Sequence, residues 1–313
     1  MKDLAPIIVF AYNRPNHLKQ TLDALAKNDL ANESELFIYC DGAKEVMHEG
    51  ENELKDERKE YLAKIAQTRE VAHATTGFKS VTVIERDKNI GLKANIVGAV
   101  TEKVNQFGRV IVIEDDIVTS PGFLRYMNEA LELYKDDEQV MHISGYMWPH
   151  RWPLPETFFF NAPCPWGWAT WDRAWKYYDD DAAKLYHYWK NRWDEFNRFG
   201  GDVLQRQLED NVSGKLKTWY VKWHAALLQR EGLTLYPGKS LVNNNGFGEE
   251  ATNCYATDKF SVELVNSIRV KRISKRESKL AAHEIYAFYQ GRWYNKRRRE
   301  ALLKKIIGIF HRR

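Results

Sequence analysis

Cysteine is scarce in this chain of 313 residues. Its three cysteines, Cys40, Cys164 and Cys254, lie far apart and follow neither a CxxC nor a Cys/His metal-binding spacing. This pattern predicts neither a disulfide framework nor a zinc site, and it is typical of a protein in a reducing compartment.

Long apolar runs are also lacking. No stretch approaches the roughly 18 apolar residues that a membrane-spanning helix needs. The apolar stretch that follows the N-terminus has seven residues and ends at Asn13, which is too short for a secretory signal. We therefore expect a cytoplasmic protein that is neither secreted nor integral to a membrane.

Charge is distributed unevenly, although the net charge is only +4. Residues 292–313 hold nine Lys/Arg and one Glu, whereas residues 1–291 hold 38 Lys/Arg and 42 Asp/Glu. Large apolar residues recur at helical spacing in the basic segment, which predicts an amphipathic helix on an anionic membrane surface and a peripheral protein on the cytoplasmic face. Nucleic acid is not expected as a partner, because the apolar side chains would then have no role. A helix docked on the protein's own body is the alternative.

The first half of the chain alternates strand and helix patterns. Residues 6–12, 35–40, 80–85 and 109–113 are apolar runs of strand length, and helical patterns lie between them. This order predicts an α/β fold with a mostly parallel sheet and helices on both faces. Residues 1–140 and 141–291 are predicted to form two halves of one domain, and residues 292–313 its tail. In the second half, residues 140–144, 158–160 and 233–236 are predicted strands, and residues 166–175 an aromatic segment that leads into a helix.

Three acidic residues, Glu114, Asp115 and Asp116, directly follow the fourth predicted strand. Charge at the end of a buried strand is costly unless it is compensated. A hard divalent cation, Mn²⁺ or Mg²⁺, would compensate it together with substrate phosphates. A solvated loop after the strand is the alternative that the spacing leaves open.

Tryptophan is abundant, with 11 residues that lie beyond residue 147. Trp166, Trp168 and Trp171 are too irregularly spaced for all three to enter the core from one element. At least one is expected to stack on a sugar ring, and a role in the core is the alternative for each.

Three segments resemble one enzyme family. The segment VIVIEDDIVTSPGFLRYMNEAL (residues 110–131) is similar to the metal-site strand and helix of the GT-A, Rossmann-like β-1,2-N-acetylglucosaminyltransferase I family. PIIVFAYNRPNHLKQTLDAL resembles the first strand and helix of that family, and PCPWGWATWDRAW its acceptor-side turn. WGWATW and GFGEEAT also resemble bacterial glycosyltransferases of surface polysaccharides. The resemblance implies an inverting, metal-dependent glycosyltransferase that moves GlcNAc or a related hexose from a UDP-sugar to a hydroxyl of a lipid-linked or surface glycan.

The resemblance also implies roles for individual residues. Asp116 would bind the metal, Glu114 would face the ribose of the donor, and Asp115 would lie between them. Other residues implied to line the donor pocket are Asn13, Arg14, Asp41, Arg86, Asp87 and Gly91. Trp166, Trp168 and Trp171 would form the acceptor side.

An inverting transferase also needs a carboxylate that takes the proton of the acceptor hydroxyl. Relatives carry Asp where this chain has Tyr220, and a phenol is a poor base at neutral pH. The expected base is therefore Asp172 or Glu249. Two other functions stay open: a nucleotidyltransferase that makes a sugar nucleotide, which lacks support because no Gly-rich loop follows the first strand, and a non-catalytic membrane-attached carbohydrate-binding protein.

Overall fold

The computed structural model describes residues 3–45, 52–199, 201–247 and 257–291. The elements of the first half are β1 (Ile7–Ala11), α1 (Pro15–Ala26), a short 3₁₀ helix (Ala31–Glu33), β2 (Glu35–Cys40), α2 (Asn52–His73), β3 (Ser80–Glu85), α3 (Leu92–Phe107), β4 (Arg109–Glu114), β5 (Ile117–Thr119) and α4 (Phe123–Leu133). The four strands expected in this half are thus confirmed, and two of them have the expected bounds.

The second half contains shorter elements. They are β6 (Val140–Ser144), β7 (Thr157–Phe160), β8 (Trp168–Trp171), α5 (Asp172–Trp175), α6 (Ala182–Trp189), α7 (Trp193–Phe196), α8 (Val203–Val212), α9 (Tyr220–Gln229), β9 (Leu233–Pro237), β10 (Val242–Asn244) and α10 (Lys279–Tyr289). The basic segment 292–313 lies outside the described residues. Within the described residues, none of the helices is both long and apolar enough to span a bilayer.

Eight strands form one sheet in the order β3-β2-β1-β4-β8-β6-β9-β7. Six strands run in the same direction, whereas β8 and β7 run against them. The strand β8 comes from the second half of the chain and lies between β4 and β6. Both halves therefore share one mostly parallel sheet, which confirms the predicted α/β fold and is consistent with a GT-A architecture.

Helices cover both faces of the sheet, as its side-chain pattern requires. Alternate residues of β1 enter different cores: Ile7 and Val9 pack in one cluster with α1 and α4, and Ile8 and Phe10 pack in the other with α3 and α9. Successive side chains of a strand point to opposite faces. A continuous apolar run such as that of β1 is therefore stable only when both faces are covered.

A second, two-stranded sheet lies beside the end of β4. Its strands β5 and β10 are antiparallel, with Val242 opposite Thr119 and Asn244 opposite Ile117. Because β5 begins directly after the acidic triplet, this pairing brings residues 244–247 beside Asp116. The Asn245 amide donates a hydrogen bond to the Asp116 carbonyl at 2.8 Å.

Candidate active site

A cavity of about 390 Å³ lies at the edge of the sheet where β1, β2 and β4 end. The parallel register places Phe10 opposite both Tyr39 and Glu114, so the chain segments after these strands meet at this edge. Residues expected in the site that line the cavity are Asn13, Arg14, Asp41, Gly91, Glu114, Asp115, Asp116 and Trp166. Other lining residues, for which the sequence predicted no role, include Tyr12, Tyr39, Lys44, Asn89, Asn95, Asn244, Gly246 and Phe247.

Arg14 connects β1 with the acidic triplet. It immediately precedes α1, which begins at Pro15, a residue whose fixed φ suits a first helical position. The Arg14 guanidinium contacts both carboxylate oxygens of Asp115, with Nε donating to Oδ2 at 3.3 Å, and it donates to Asp116 Oδ2 at 3.0 Å. One cation thus faces two aspartates inside a largely buried pocket.

Burial disfavours the ionised forms of the Glu114 and Asp115 carboxylates. Burial, together with the charges of Asp116 and Asp115, raises the pKa of Glu114 to about 8. Burial also raises the pKa of Asp115 to about 7, although Arg14 opposes this rise. Burial lowers the pKa of Arg14, but the two aspartates outweigh it and the pKa lies above its usual value. A further positive charge in the cavity would therefore favour the ionised carboxylates.

Asp116 has a carboxylate oxygen that could bind a cation. Its Oδ1 is buried and has no hydrogen-bond partner among the described residues. A Cβ at Gly246 would lie 2.2 Å from its Oδ2, so glycine leaves the space that this carboxylate occupies. In the described ranges, no group of three or more His, Cys, Asp or Glu could hold a metal alone. A cation held by one carboxylate and substrate phosphates does not need such a group, and Asp116 fits that mode of binding.

Asp41 orders the loop before α3. Its carboxylate accepts hydrogen bonds from the amides of Gly42, Ile90 and Gly91 at 2.9–3.0 Å. Gly42 lies so close to the Lys88 backbone that a Cβ would approach within 2.5 Å. Gly91 has a φ of +81°, which favours glycine, and no atom stands within 4 Å of a Cβ built there. Asp41 therefore shapes the wall of the cavity through the backbone.

Arg86 and Asp87 do not line the cavity. The Arg86 Nε donates to Asn95 Oδ1 at 3.2 Å and its guanidinium lies 5.6 Å from the centre of the Tyr39 ring, so it supports two lining side chains from behind. Asp87 is exposed to solvent. The expectation that both residues contact the donor directly is not supported by their positions.

Of the three expected acceptor tryptophans, only Trp166 lines the cavity. Its ring makes edge contacts with Tyr146 at 4.6 Å and with Phe247 at 5.5 Å between ring centres. Trp168 and Trp171 are 0% and 3% exposed. Trp168 stacks between His142 and Trp219 at 5.1 and 5.2 Å. Trp168 and Trp171 are core residues, so the expectation that they bind acceptor is wrong on geometric grounds.

The structure also places Asp172 away from the cavity. Strand β8 runs antiparallel to β4, with Trp171 opposite Arg109 at the start of β4, and the Asp172 amide donates to the Gly108 carbonyl. The triplet lies at the other end of β4. The five steps of about 3.3 Å from Arg109 to Glu114 separate the two edges by roughly 17 Å, so Asp172 lies outside the cavity. Glu249, the other expected base, lies outside the described residues.

Tyr220 and His142 have structural partners. The Tyr220 hydroxyl donates to the Pro163 carbonyl at 2.9 Å, and burial raises its pKa well above its usual value. Nδ1 of His142 accepts from the Trp223 indole at 3.1 Å, which leaves Nε2 to donate to the Cys164 carbonyl at 3.0 Å. Burial lowers the His142 pKa to about 3. Neither residue is poised for proton transfer or metal binding.

The comparison with known proteins connects this geometry to an enzyme family. Residues 1–149 match the GNT-I family. The matched segment ends before β7 and contains the strands that carry Arg14, Asp41 and the acidic triplet. It supports a glycosyltransferase and agrees with the resemblance stated for the same motifs. No curated protein sequence matches the chain significantly.

Similarity to solved structures is more distant. The crystal structure of S. aureus TarS aligns with 84% of this chain at 13% sequence identity and a TM-score of 0.38. The chain spans 41% of the length of TarS. A similarity this weak carries no argument about function.

Proposed function

We propose that this chain is an inverting, metal-dependent glycosyltransferase of the GT-A type that uses a UDP-sugar. The observation that carries the proposal is the buried Oδ1 of Asp116, which has no hydrogen-bond partner among the described residues and lies in a cavity that also holds Arg14. A bound Mn²⁺ or Mg²⁺ would neutralise the diphosphate leaving group while the glycosidic bond breaks. GlcNAc or a related hexose is the proposed sugar, because residues 1–149 match the GNT-I family and the same motifs resemble the β-1,2-N-acetylglucosaminyltransferase I family.

Arg14 and Asp41 would provide further interactions in the donor site. Arg14 holds Asp115 and Asp116 in place and supplies a fixed positive charge where a diphosphate would lie. Asp41 holds the loop that carries Asn89 and Gly91, so that this wall of the cavity is preformed before the nucleotide binds. Such preorganisation reduces the cost of ordering on binding.

Trp166 is the proposed platform for the acceptor. It is the one tryptophan of its cluster that reaches the cavity, and its contacts with Tyr146 and Phe247 fix the plane of its ring. An aromatic face presents an apolar surface to the apolar face of a sugar ring. We propose a hydroxyl of a lipid-linked or surface glycan as the acceptor, and a peripheral membrane location through residues 292–313.

Glu249 is the proposed general base. It follows Phe247 by two residues, and Phe247 lines the cavity beside Trp166. Replacing Glu249 with Gln should lower kcat about 10² to 10⁴-fold with donor affinity unchanged. Normal turnover of Glu249→Gln would remove it from this role.

The deciding experiment is calorimetric titration of UDP in the presence and absence of Mn²⁺. Wild type should bind UDP tightly only with the metal. Asp116→Asn should bind UDP weakly even when Mn²⁺ is present. Asp172→Asn is the matched control, because it makes the same chemical change at an exposed carboxylate on the opposite edge of the sheet. Metal-independent binding of UDP by wild type, or undiminished binding by Asp116→Asn, would refute the proposal. Mn²⁺-dependent binding of a nucleoside triphosphate with release of diphosphate would instead favour a nucleotidyltransferase.

A further inference from the structure

A basic strap crosses the surface before α10. Residues 269–279 contain six Lys/Arg and one Glu. The apolar residues between the cations, Val270 and Ile273, pack against the core, whereas all six cations are exposed. The cations are Arg269, Lys271, Arg272, Lys275, Arg276 and Lys279. The alternation fixes the backbone to the body and directs the charges to solvent.

Most of this charge is not neutralised locally. Arg272 and Lys275 share one carboxylate, Asp137, at 2.5 and 2.8 Å. In the described part of the chain, the other four cations have no acidic side chain within salt-bridge distance. The strap therefore presents a positive surface on a body whose residues 1–291 carry an excess of acidic side chains.

An exposed tryptophan lies on the loop that faces α10. Trp152 is 51% exposed, and the Arg151 guanidinium lies 5.0 Å from its ring centre. Two hydrogen bonds tie this loop to α10: the Arg151 amide donates to Glu284 at 2.7 Å, and the Trp148 indole donates to the Tyr289 hydroxyl at 3.1 Å. The loop is thus held to α10 at both Trp148 and Arg151. Trp152, the next residue, is exposed beside the Arg151 guanidinium.

The strap, the loop and α10 adjoin one another. A surface cavity of about 600 Å³ is lined by Pro155 of the loop, Phe158 of β7, Arg276 of the strap and Lys279 of α10. Leu280 is 43% exposed and lies one helical turn before Glu284, the residue that receives the loop amide. We call the exposed side chains of Arg151, Trp152, Arg276, Lys279 and Leu280 the basic face.

We propose that the basic face is a membrane-contact surface of the body and binds an anionic lipid bilayer. Cations attract anionic headgroups, and exposed Trp and Leu beside them enter the interface. The chain leaves α10 at Tyr289 and continues through Gly291 into the segment with nine Lys/Arg, so the two basic segments follow one another closely in the sequence. A polyanion such as nucleic acid would use the cations but not Leu280. The inference rests on the peripheral location proposed above.

The test uses the full chain and sedimentation with vesicles of phosphatidylcholine alone or with 30 mol% phosphatidylglycerol, a composition of roughly physiological anionic charge. Arg276→Gln/Lys279→Gln should weaken binding to the anionic vesicles about 20-fold, because each cation near such a surface contributes about fivefold. Lys215→Gln/Lys217→Gln, an equal loss of exposed charge on the loop after α8, is the matched control and should change binding less than about twofold. Trp152→Ala should weaken binding to a similar extent at low and high salt, since its contribution is apolar.

The outcomes separate this inference from the proposed function. Equal binding by the Arg276/Lys279 and Lys215/Lys217 variants would overturn it and would leave residues 292–313 as the one proposed membrane contact. Loss of duplex DNA binding by the Arg276/Lys279 variant with vesicle binding unchanged would overturn it in favour of a polyanion. Mn²⁺-dependent UDP binding, measured on every variant, should stay normal and reports on the active site alone.

Discussion

Gly246→Ala should impair metal-dependent donor binding, because position 246 and Asp116 compete for the same space. The added Cβ would lie 2.2 Å from Asp116 Oδ2, 2.9 Å from its Cγ and 3.0 Å from Asn244 Oδ1. Carbon and oxygen normally approach to about 3.3 Å. Relief of the contact therefore needs a shift of about 1 Å in the Asp116 carboxylate or in the backbone after β10. Either shift moves Asp116 relative to Arg14 and to the proposed metal position.

The expected magnitude is large for function and modest for stability. A misplacement of about 1 Å in a reacting site can cost about 10²-fold in rate, and overpacking costs about 1–3 kcal/mol. Gly98→Ala is the matched control, because Gly98 lies inside α3 and no atom stands within 4 Å of a Cβ built there. That change should stabilise the protein by about 0.5–1 kcal/mol.

Calorimetric titration of UDP with Mn²⁺, together with thermal unfolding followed by circular dichroism, measures both effects. Gly246→Ala should melt cooperatively a few degrees below wild type and bind the nucleotide at least about tenfold more weakly. Gly98→Ala should bind normally and melt slightly higher. Wild-type affinity and turnover in Gly246→Ala would refute the reasoning, because the crowding at Asp116 would then have no functional consequence.

Three further predictions follow from the same geometry. Asp41→Ala should weaken UDP binding and destabilise the protein by about 1–3 kcal/mol, since three backbone amides lose their acceptor; unchanged UDP affinity would show that the loop is held by other contacts. Trp166→Ala should raise the KM for the acceptor with the donor KM unchanged, whereas Trp168→Phe should lower the melting temperature only; an acceptor KM that responds to Trp168 instead would contradict this assignment. Burial lowers the pKa of His142 to about 3 in the folded protein, against a usual value of 6.5. Below pH 6.5 the unfolded chain therefore takes up a proton at this position while the folded chain stays neutral. The free energy of unfolding should be highest above pH 6.5 and should fall on acidification by up to about 1.4 kcal/mol per pH unit, until the pH approaches the folded pKa. Urea unfolding at a series of pH values should show a shallower acid loss for His142→Gln, and an identical slope would contradict the linkage.

The first half of the sheet was predictable from the sequence because its strands are continuous apolar runs between turn residues. Runs of this kind are stable only with both faces covered, so β1 and β4 indicated a central parallel sheet. The acidic triplet was visible for the same reason, since charge directly after such a run is unusual. The resemblance to the β-1,2-N-acetylglucosaminyltransferase I family then implied that Arg14, Asp41 and Asp116 belong to one site.

The acceptor side was not predictable in the same way. Residues 166–175 were expected to be an aromatic segment that leads into a helix. The helix is present as α5, but Trp168–Trp171 before it forms β8 in the centre of the sheet, buried on both faces. An antiparallel strand carries the chain to the opposite edge, which is why Trp166 reaches the cavity and Asp172 does not. Because this strand was not predicted, Trp168 and Trp171 were expected to contact the acceptor sugar, although both are core residues.

Asn244 and Gly246 were missed for a different reason. The strand that positions them has three residues, and short strands have no periodicity that the sequence reveals. The resemblance of the GFGEEAT segment to bacterial glycosyltransferases implied no role for Gly246, and a glycine in a Gly/Asn-rich loop by itself indicates only a turn. Its role here depends on a carboxylate that is distant in sequence and close only after β5 and β10 have paired.

The pairing of β5 with β10 has a consequence for how the protein matures. Asn244 lies 127 residues after Ile117, its partner, and closing so long a loop is entropically slow compared with the local βα units of the first half. During synthesis, the chain up to residue 247 must leave the ribosome before Gly246 can pack beside Asp116. A nascent or truncated chain that ends at residue 149 would contain the whole family-matched segment and still lack the wall of the cavity that Asn244, Gly246 and Phe247 form.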